Sequence, residues 1–228
     1  MIRTVALVGH SGSGKTTLGE ALLYFTGGKD RMGKVEEGST TSDYTPEEKA
    51  HRVSVRTAVL PLTYQGHRIY LLDAPGYTDF VGEIRSAMEA ADSAVVVVSA
   101  ETGVQIGTER AWTVAERLGL PRMVVVTKLE KGGDFFALLE DLRSTLGHIL
   151  PAHLPLYENG QWVGLIDVLH DRAFRYDKGR PVITSIPEDQ KAQVEKYRNE
   201  AREAIIETDE SLLEKYLEGG EVEEVALS

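Results

Sequence analysis

The sequence predicts an α/β protein, with a mostly parallel sheet flanked by helices and a small α+β unit after it. Three observations carry this expectation. Valine-rich runs at 94–99 and 123–127 read as strands buried on both faces, the habit of a parallel sheet. Helical patterns at 109–118 and 135–146 alternate with them, and such alternation implies helical crossovers on both faces of the sheet. Beyond residue 150 the texture changes to short strands and a long charged helix, which divides the chain into units 1–150 and 151–228.

The elements follow in order. Residues 2–8 are apolar and β-branched, a strand that breaks into a glycine-rich turn. A helix over 17–25 places Leu18, Ala21, Leu22 and Phe25 on one face, and Gly27-Gly28 ends it. Residues 29–51 are polar and aperiodic and are expected to form a long loop, which in a compact domain usually carries function or is disordered. Strands at 53–64 and 67–72 are joined by Gln65-Gly66, a hairpin signal, and a helix over 82–91 follows Asp73-Ala74-Pro75-Gly76. In the second unit, strands at 154–157, 162–169 and 173–176 are separated by Asn159-Gly160 and Lys178-Gly179. Pro187 opens a long helix striped by Val194, Tyr197, Ala201, Ile205 and Ile206, and a shorter helix is expected over 211–217.

Composition narrows the function classes. With 42% hydrophobic residues and no cysteine in 228, the chain is an ordinary globular protein rather than a disordered tail or a disulfide scaffold. No apolar run approaches the ~20 residues that span a bilayer, and the early polar turn is unlike a signal peptide. The net charge of −11 argues against broad binding to phosphate backbones, DNA included, which needs a basic footprint. Without cysteine, and with six histidines in no ligand spacing, a structural zinc site is not expected. The charge is unevenly spread: residues 187–228 hold 13 acidic and 5 basic side chains, while residues 1–186 hold 23 and 20.

The stretch from Gly9 to Thr16 fits Gly-x-x-x-x-Gly-Lys-[Ser/Thr], a pattern that arises by chance in such a chain on the order of once in a hundred. It lies between a strand and a helix, as a phosphate loop must, so a P-loop NTPase fold is expected. Successive backbone N–H groups and the helix N-terminus cradle phosphate oxygens. The candidate nucleotide contacts are His10, Ser11, Gly12, Ser13, Gly14, Lys15, Thr16 and Thr17, with the His10 side chain structural. Lys15 offers a point charge to the β- and γ-phosphates and the Thr16 hydroxyl a ligand to Mg²⁺. Asp73 ends a hydrophobic strand where a Mg²⁺-linked carboxylate belongs, and the Gly76 N–H can reach a γ-phosphate, making a nucleotide switch.

Further segments resemble the GTP-binding domain of elongation factor G. They are Val35-Glu36-Glu37-Gly38, Asp79-Phe80, Gly103-Val104-Gln105 and Leu120-Pro121-Arg122 in the first unit. In the second they are Leu154-Pro155-Leu156, Gly164-Leu165-Ile166-Asp167 and Glu214-Lys215-Tyr216-Leu217-Glu218-Gly219. The resemblance covers nearly the whole chain. It implies that the second unit is the G′ insertion of that family, that further domains follow residue 228, and that GTP and its product GDP are the ligands. It also implies a cytoplasmic, monomeric factor acting on the ribosome, with the acidic G′-like helix toward ribosomal stalk protein. A solvated face is the alternative for that helix. Ser54 falls where the family has its Mg²⁺-binding threonine, whereas the residues alone allow a polar position in a strand. Metal contacts are thus expected from Thr16, Ser54 and Asp73, and catalytic roles from Lys15, Gly76 and Tyr77.

Four departures from the family stand out. Gly12 replaces an aspartate common in translation factors, which removes a ligand for any monovalent cation. Thr127-Lys128-Leu129-Glu130 replaces Asn-Lys-x-Asp, so Thr127, Lys128 and Glu130 are the candidate base contacts, with the guanine-accepting carboxylate one methylene further out. A solvated Lys128–Glu130 pair is the alternative. Tyr77 replaces the histidine that orients water, and a neutral phenol is a poorer proton acceptor than imidazole. The expectations are a GTPase with slow intrinsic hydrolysis or, in another class, a GTP-binding regulatory module with little turnover. An ATPase or nucleotide kinase is a third reading that no adenine-specific feature supports. The family's Ser-Ala-like guanine signature is not found, Ala226-Leu227-Ser228 being too short and terminal to serve.

Overall fold

A computed structural model describes residues 1–177 and 180–207. They fall into two compact units, the first running from Met1 to Gly147 and the second starting at His148.

The first unit is built on a five-stranded sheet. Its strands are β1 (Ile2–Val8), β2 (Ala58–Tyr64), β3 (His67–Asp73), β4 (Ser93–Ser99) and β5 (Arg122–Thr127). They lie in the order β2-β3-β1-β4-β5, all parallel except β2, which pairs antiparallel with β3 through the Gln65-Gly66 turn. Helices α1 (Lys15–Phe25), α2 (Pro46–His51), α3 (Val81–Glu89), α4 (Ile106–Arg117) and α5 (Phe135–Leu146) connect them. Chain order reverses at β1, whose neighbours are β3 and β4, so the carboxyl ends of the strands open a crevice there. Four strand ends meet it, with Leu7 paired to Asp73 and Ser99 to Thr127.

Alternation makes the core. Leu60 and Leu62 of β2 point inward between exposed Val59, Pro61 and Thr63, and they cluster with Leu7, Leu71 and Leu23 of α1. On β4, Val96, Val97 and Val98 are all fully buried, the two-faced burial that the valine runs predict.

Two expectations in this unit need correction. The segment 29–51 is no featureless loop, because α2 forms over Pro46–His51 under a capping box between Thr45 and Glu48, with Pro46 in the first turn. The strand expected from residue 53 begins only at Ala58, because the N–H groups of Val55 and Arg56 go to the Glu48 carboxylate and that of Thr57 to Glu83. With the donors of Val53, Val55, Arg56 and Thr57 taken by other partners, this stretch cannot continue the sheet ladder.

The second unit holds an antiparallel sheet, β6 (His153–Glu158), β7 (Gln161–Asp167), β8 (Arg172–Asp177) and β9 (Arg180–Thr184), in sequence order, and helix α6 (Glu188–Glu207). Strand β9 escapes the sequence reading because its Val182 and Ile183 are both exposed and no alternation marks it. The apolar stripe of α6 is as expected for Val194, Tyr197, Ala201 and Ile206, all buried. The expected Lys178-Gly179 turn and the 211–217 helix lie outside the described residues.

Candidate functional site

Helix α1 starts without a side-chain cap and without an acidic residue in its first turn. Its Ncap is Gly14 at φ 96°, a left-handed conformation that a Cβ would strain. The first N–H groups therefore present partial positive charge that nothing in the helix neutralises, the setting for an anion. Lys15 lies under this loop and donates to the carbonyls of Gly9 at 3.2 Å and His10 at 2.9 Å. Burial brings its pKa down to about 8, against the upward pull of the Asp73 carboxylate. A buried ammonium held only by carbonyls and a carboxylate is suited to receiving an anion.

Asp73 ends β3 with 1% of its surface exposed, and neither of its buried oxygens has a hydrogen-bond partner of normal geometry. Burial raises its pKa, while the hydroxyls of Ser42 and Thr16 and the Lys15 ammonium pull the other way. The nearby carboxylate of Asp43 adds to the rise. On the same side Thr16 Oγ1 lies 3.3 Å from Ser54 Oγ, which itself donates to Asp43 Oδ1 at 2.7 Å. Two facing hydroxyls beside an unsatisfied buried carboxylate fit a hard divalent cation that keeps most of its water, as Mg²⁺ does. Among the described residues no three His, Asp or Glu side chains cluster as an all-protein cage.

Gly76 closes over the loop from the far end of β3. A Cβ there would lie 2.5 Å from Lys15 Nζ and 2.6 Å from the Ser11 backbone, so only glycine permits this approach. Tyr77 follows at the start of a single 3-10 turn, Thr78–Phe80, and stays 45% exposed on the cleft wall.

The strand-end residues of β5 divide their roles. The Thr127 hydroxyl donates to the Ser13 carbonyl at 2.6 Å and so ties the end of β5 to the phosphate loop. A threonine thereby makes the loop contact without an amide. Lys128 sits at φ 60°, uncommon outside glycine, and lines the cleft. Its Nζ and that of Lys131 both reach Glu101 Oε2 at 3.4 Å. Glu130 is exposed in the turn Leu129–Lys131 and is not on the cleft wall, where Lys131 is.

One cleft of about 280 Å³ thus gathers Ser11, Gly12, Gly14, Lys15, Thr16 and Thr17 with Ser54, Gly76, Tyr77 and Lys128. His10 and Ser13 are not on its wall, and His10 Nδ1 and Ser13 Oγ are buried without partners. Gly12 is exposed, with open space where a side chain would go. The arrangement can bind a polyphosphate along the loop, hold a metal between two hydroxyls and set a base against Lys128. Sequence reasoning missed Ser42, Asp43 and Glu101. No motif marks them, since their contacts are set by how the chain folds and not by a fixed spacing. Sequence reasoning missed Glu48 as well; the Thr45-x-x-Glu48 capping pattern could have flagged a helix start there, though not the hold on Val55 and Arg56.

Comparison with known proteins agrees with this geometry. The family model described as "Elongation factor Tu GTP binding domain" matches residues 1–227. Elongation factor G of Thermotoga maritima is 35% identical over 228 residues, covering 98% of this chain and 33% of that protein. Elongation factor G 2 of Syntrophus aciditrophicus is 31% identical over 229 residues, covering 98% of this chain and 34% of that protein. A crystal structure of a Thermus thermophilus protein superposes with a TM-score of 0.97 at 70% identity, covering 100% of this chain and 34% of that one. The chain therefore spans about a third of the length of its curated relatives. Sequence, sheet order and phosphate loop converge, and the chain belongs to the elongation factor Tu GTP-binding-domain family as a translational GTPase G domain of the elongation factor G kind.

Proposed function

We propose that residues 1–150 bind GTP with Mg²⁺ in this cleft and hydrolyse it to GDP and phosphate. They would serve as the switch domain of an elongation factor G-like protein on the ribosome. The observation that carries the reading is the meeting, in one cleft, of Lys15, Thr16, Ser54, Gly76 and Lys128 over the buried carboxylate of Asp73. Lys15 and the loop N–H groups bind the β- and γ-phosphate oxygens, and the Gly76 N–H approaches the γ-phosphate, where developing charge needs fixed donors. Thr16, Ser54 and Asp73 would hold the metal. Bound Mg²⁺ supplies neutralisation of charge on the β- and γ-oxygens. Lys128 packs its stem on the base and Thr127 fixes the distance of that segment from the phosphate loop, while Glu130, which stands off the cleft wall, accepts from guanine only once its side chain turns inward. Loss of the γ-phosphate releases residues 29–57 and 74–82.

Tyr77 orients water by its hydroxyl and accepts no proton, so intrinsic turnover is slow and intact GTP is retained. Its half-exposed position on the cleft wall also favours a second reading, a GTP-binding regulatory module that works by conformation with little turnover. Residues 151–228 are then the G′-type insertion of a cytoplasmic, monomeric factor, its acidic helix meeting ribosomal stalk protein. Among the described residues no helix is long and apolar enough to cross a membrane. Phosphate release with and without ribosomes, alongside ATP and GTP competition for a fluorescent nucleotide, tests the proposal. Ribosome-stimulated release and guanine preference support it. Tight GTP binding with no stimulated release leaves the regulatory module, and equal competition by ATP overturns both.

A further inference from the structure

Two glutamates are entirely buried although neither lines the phosphate cleft: Glu20 in α1 and Glu48 in α2. A buried carboxylate is costly unless hydrogen-bonded, so its partners tell what it is for. Glu48 Oε2 accepts from Thr45 N–H at 3.1 Å, the local bond of the capping box. Its Oε1 accepts from the N–H groups of Val55 at 3.0 Å and Arg56 at 3.2 Å, which no helix cap requires. The Glu48 carbonyl also accepts from Val53 N–H at 3.2 Å. The chain is thus gripped immediately before and immediately after Ser54, and Ser54 Oγ is set 3.3 Å from Thr16 Oγ1. Glu20 anchors the earlier part of the same segment, accepting from Lys29 Nζ at 2.8 Å, Gly33 N–H at 3.0 Å and the Thr41 N–H.

We infer that Glu48 is the positioning residue for the Ser54 hydroxyl: its buried carboxylate clamps the backbone immediately after Ser54, while its carbonyl holds Val53 before it, and the clamp so sets how tightly the triphosphate state holds Mg²⁺. The inference rests on the GTP–Mg²⁺ reading and deepens it. Glu48 makes no hydrogen bond to Ser54, Thr16 or Asp73, so its effect passes through the backbone. Three N–H donors converge on two oxygens, and charge-assisted bonds of this kind are about twice as strong as neutral ones. Glutamine keeps one acceptor oxygen and turns an NH₂ toward a donor, so it cannot satisfy all three. GDP brings no γ-phosphate to draw Ser54 and its metal together, so its binding draws little on the clamp.

The test uses the 228-residue chain with fluorescent GTP and GDP analogues titrated across Mg²⁺ concentration. Glu48→Gln is expected to raise the Mg²⁺ concentration for half-maximal GTP retention about tenfold or more, the usual cost of losing a group that orients a metal ligand. GDP affinity is expected to stay within about twofold, and Ser54→Ala/Glu48→Gln to be no worse than Ser54→Ala. Thr45→Ala removes the cap and leaves the clamp, and is expected to spare the Mg²⁺ dependence. Equal losses for GTP and GDP, additive effects in the double variant, or a Thr45→Ala that matches Glu48→Gln would each overturn the inference. If Glu48→Gln fails to fold, Glu48→Asp, charged but one methylene short, takes its place with the same expectations. Wild-type chain that binds neither nucleotide defeats the GTP reading itself. Mg²⁺-dependent GTP binding unaltered in Glu48→Gln defeats the clamp alone.

Discussion

Burial that lowers the Lys15 pKa to about 8 makes the residue costly to the fold and useful to a ligand. A folded pKa below the unfolded one means the unfolded chain binds more protons between about 8 and 10.5, so stability rises with pH through that window. Lys15→Met removes this penalty. The difference in melting temperature between Lys15→Met and wild type should therefore shrink from pH 8 to 10.5, and a constant difference would refute the burial argument. The same variant should lose GTP binding, since function and stability compete at this position. Gly76→Ala tests the opposite kind of constraint, steric rather than electrostatic. Its Cβ meets Lys15 Nζ and the Ser11 backbone at 2.5–2.6 Å, so the loop must lift and the N–H with it. GTP affinity should fall about tenfold, roughly one hydrogen bond to a charged group, while GDP affinity holds. Parallel losses measured by nucleotide titration would mean that Gly76 serves folding and not the γ-phosphate.

Among the elements, β2 and α2 show how a shared partner decides structure. The edge strand β2 packs only one face, Ala58, Leu60 and Leu62, and Leu60 is 1% exposed against the α1 side of the sheet. Leu60→Ala should cost about 2–5 kcal/mol by denaturant unfolding. A loss under ~1 kcal/mol would mean that the site collapses around the smaller side chain. Helix α2, only six residues long, owes its existence to Pro46 and the Thr45–Glu48 box rather than to an apolar face. The segment it belongs to is held by carboxylates: burial alone would raise the pKa of Glu20 and Glu48, but the N–H donors and, at Glu20, Lys29 outweigh it and leave both below the ordinary range. A lowered pKa stabilises above the unfolded value of 4.5 and fails as pH falls through the folded one. The acid limb of the stability curve should accordingly flatten in Glu20→Gln and Glu48→Gln, and an unchanged limb would show that neither carboxylate is held as described.

At the scale of the molecule, charge separates what bonding does not. Residues 187–228 hold 13 of the 36 acidic side chains, while the first unit is nearly balanced. If this acidity meets a basic patch on the ribosomal stalk, stimulation of phosphate release should fall as salt screens it and should drop with stalk-depleted ribosomes. Stimulation indifferent to both would leave the acidic face merely solvated. The sequence by itself determined the sheet, the helices that flank it and the phosphate loop, because valine runs, helical periodicity and a glycine-lysine motif are local statements about backbone and burial. It also put Lys15, Thr16, Asp73, Gly76 and Tyr77 near one another through the strand–loop–helix order. Only the tertiary structure decided that residues 53–57 leave the sheet, that Ser54 faces Thr16 and Asp43, that Thr127 reaches the Ser13 carbonyl, and that Glu130 stands off the cleft wall. Each of these depends on a hydrogen bond between separate segments or on the aim of one side chain, and no periodicity records either.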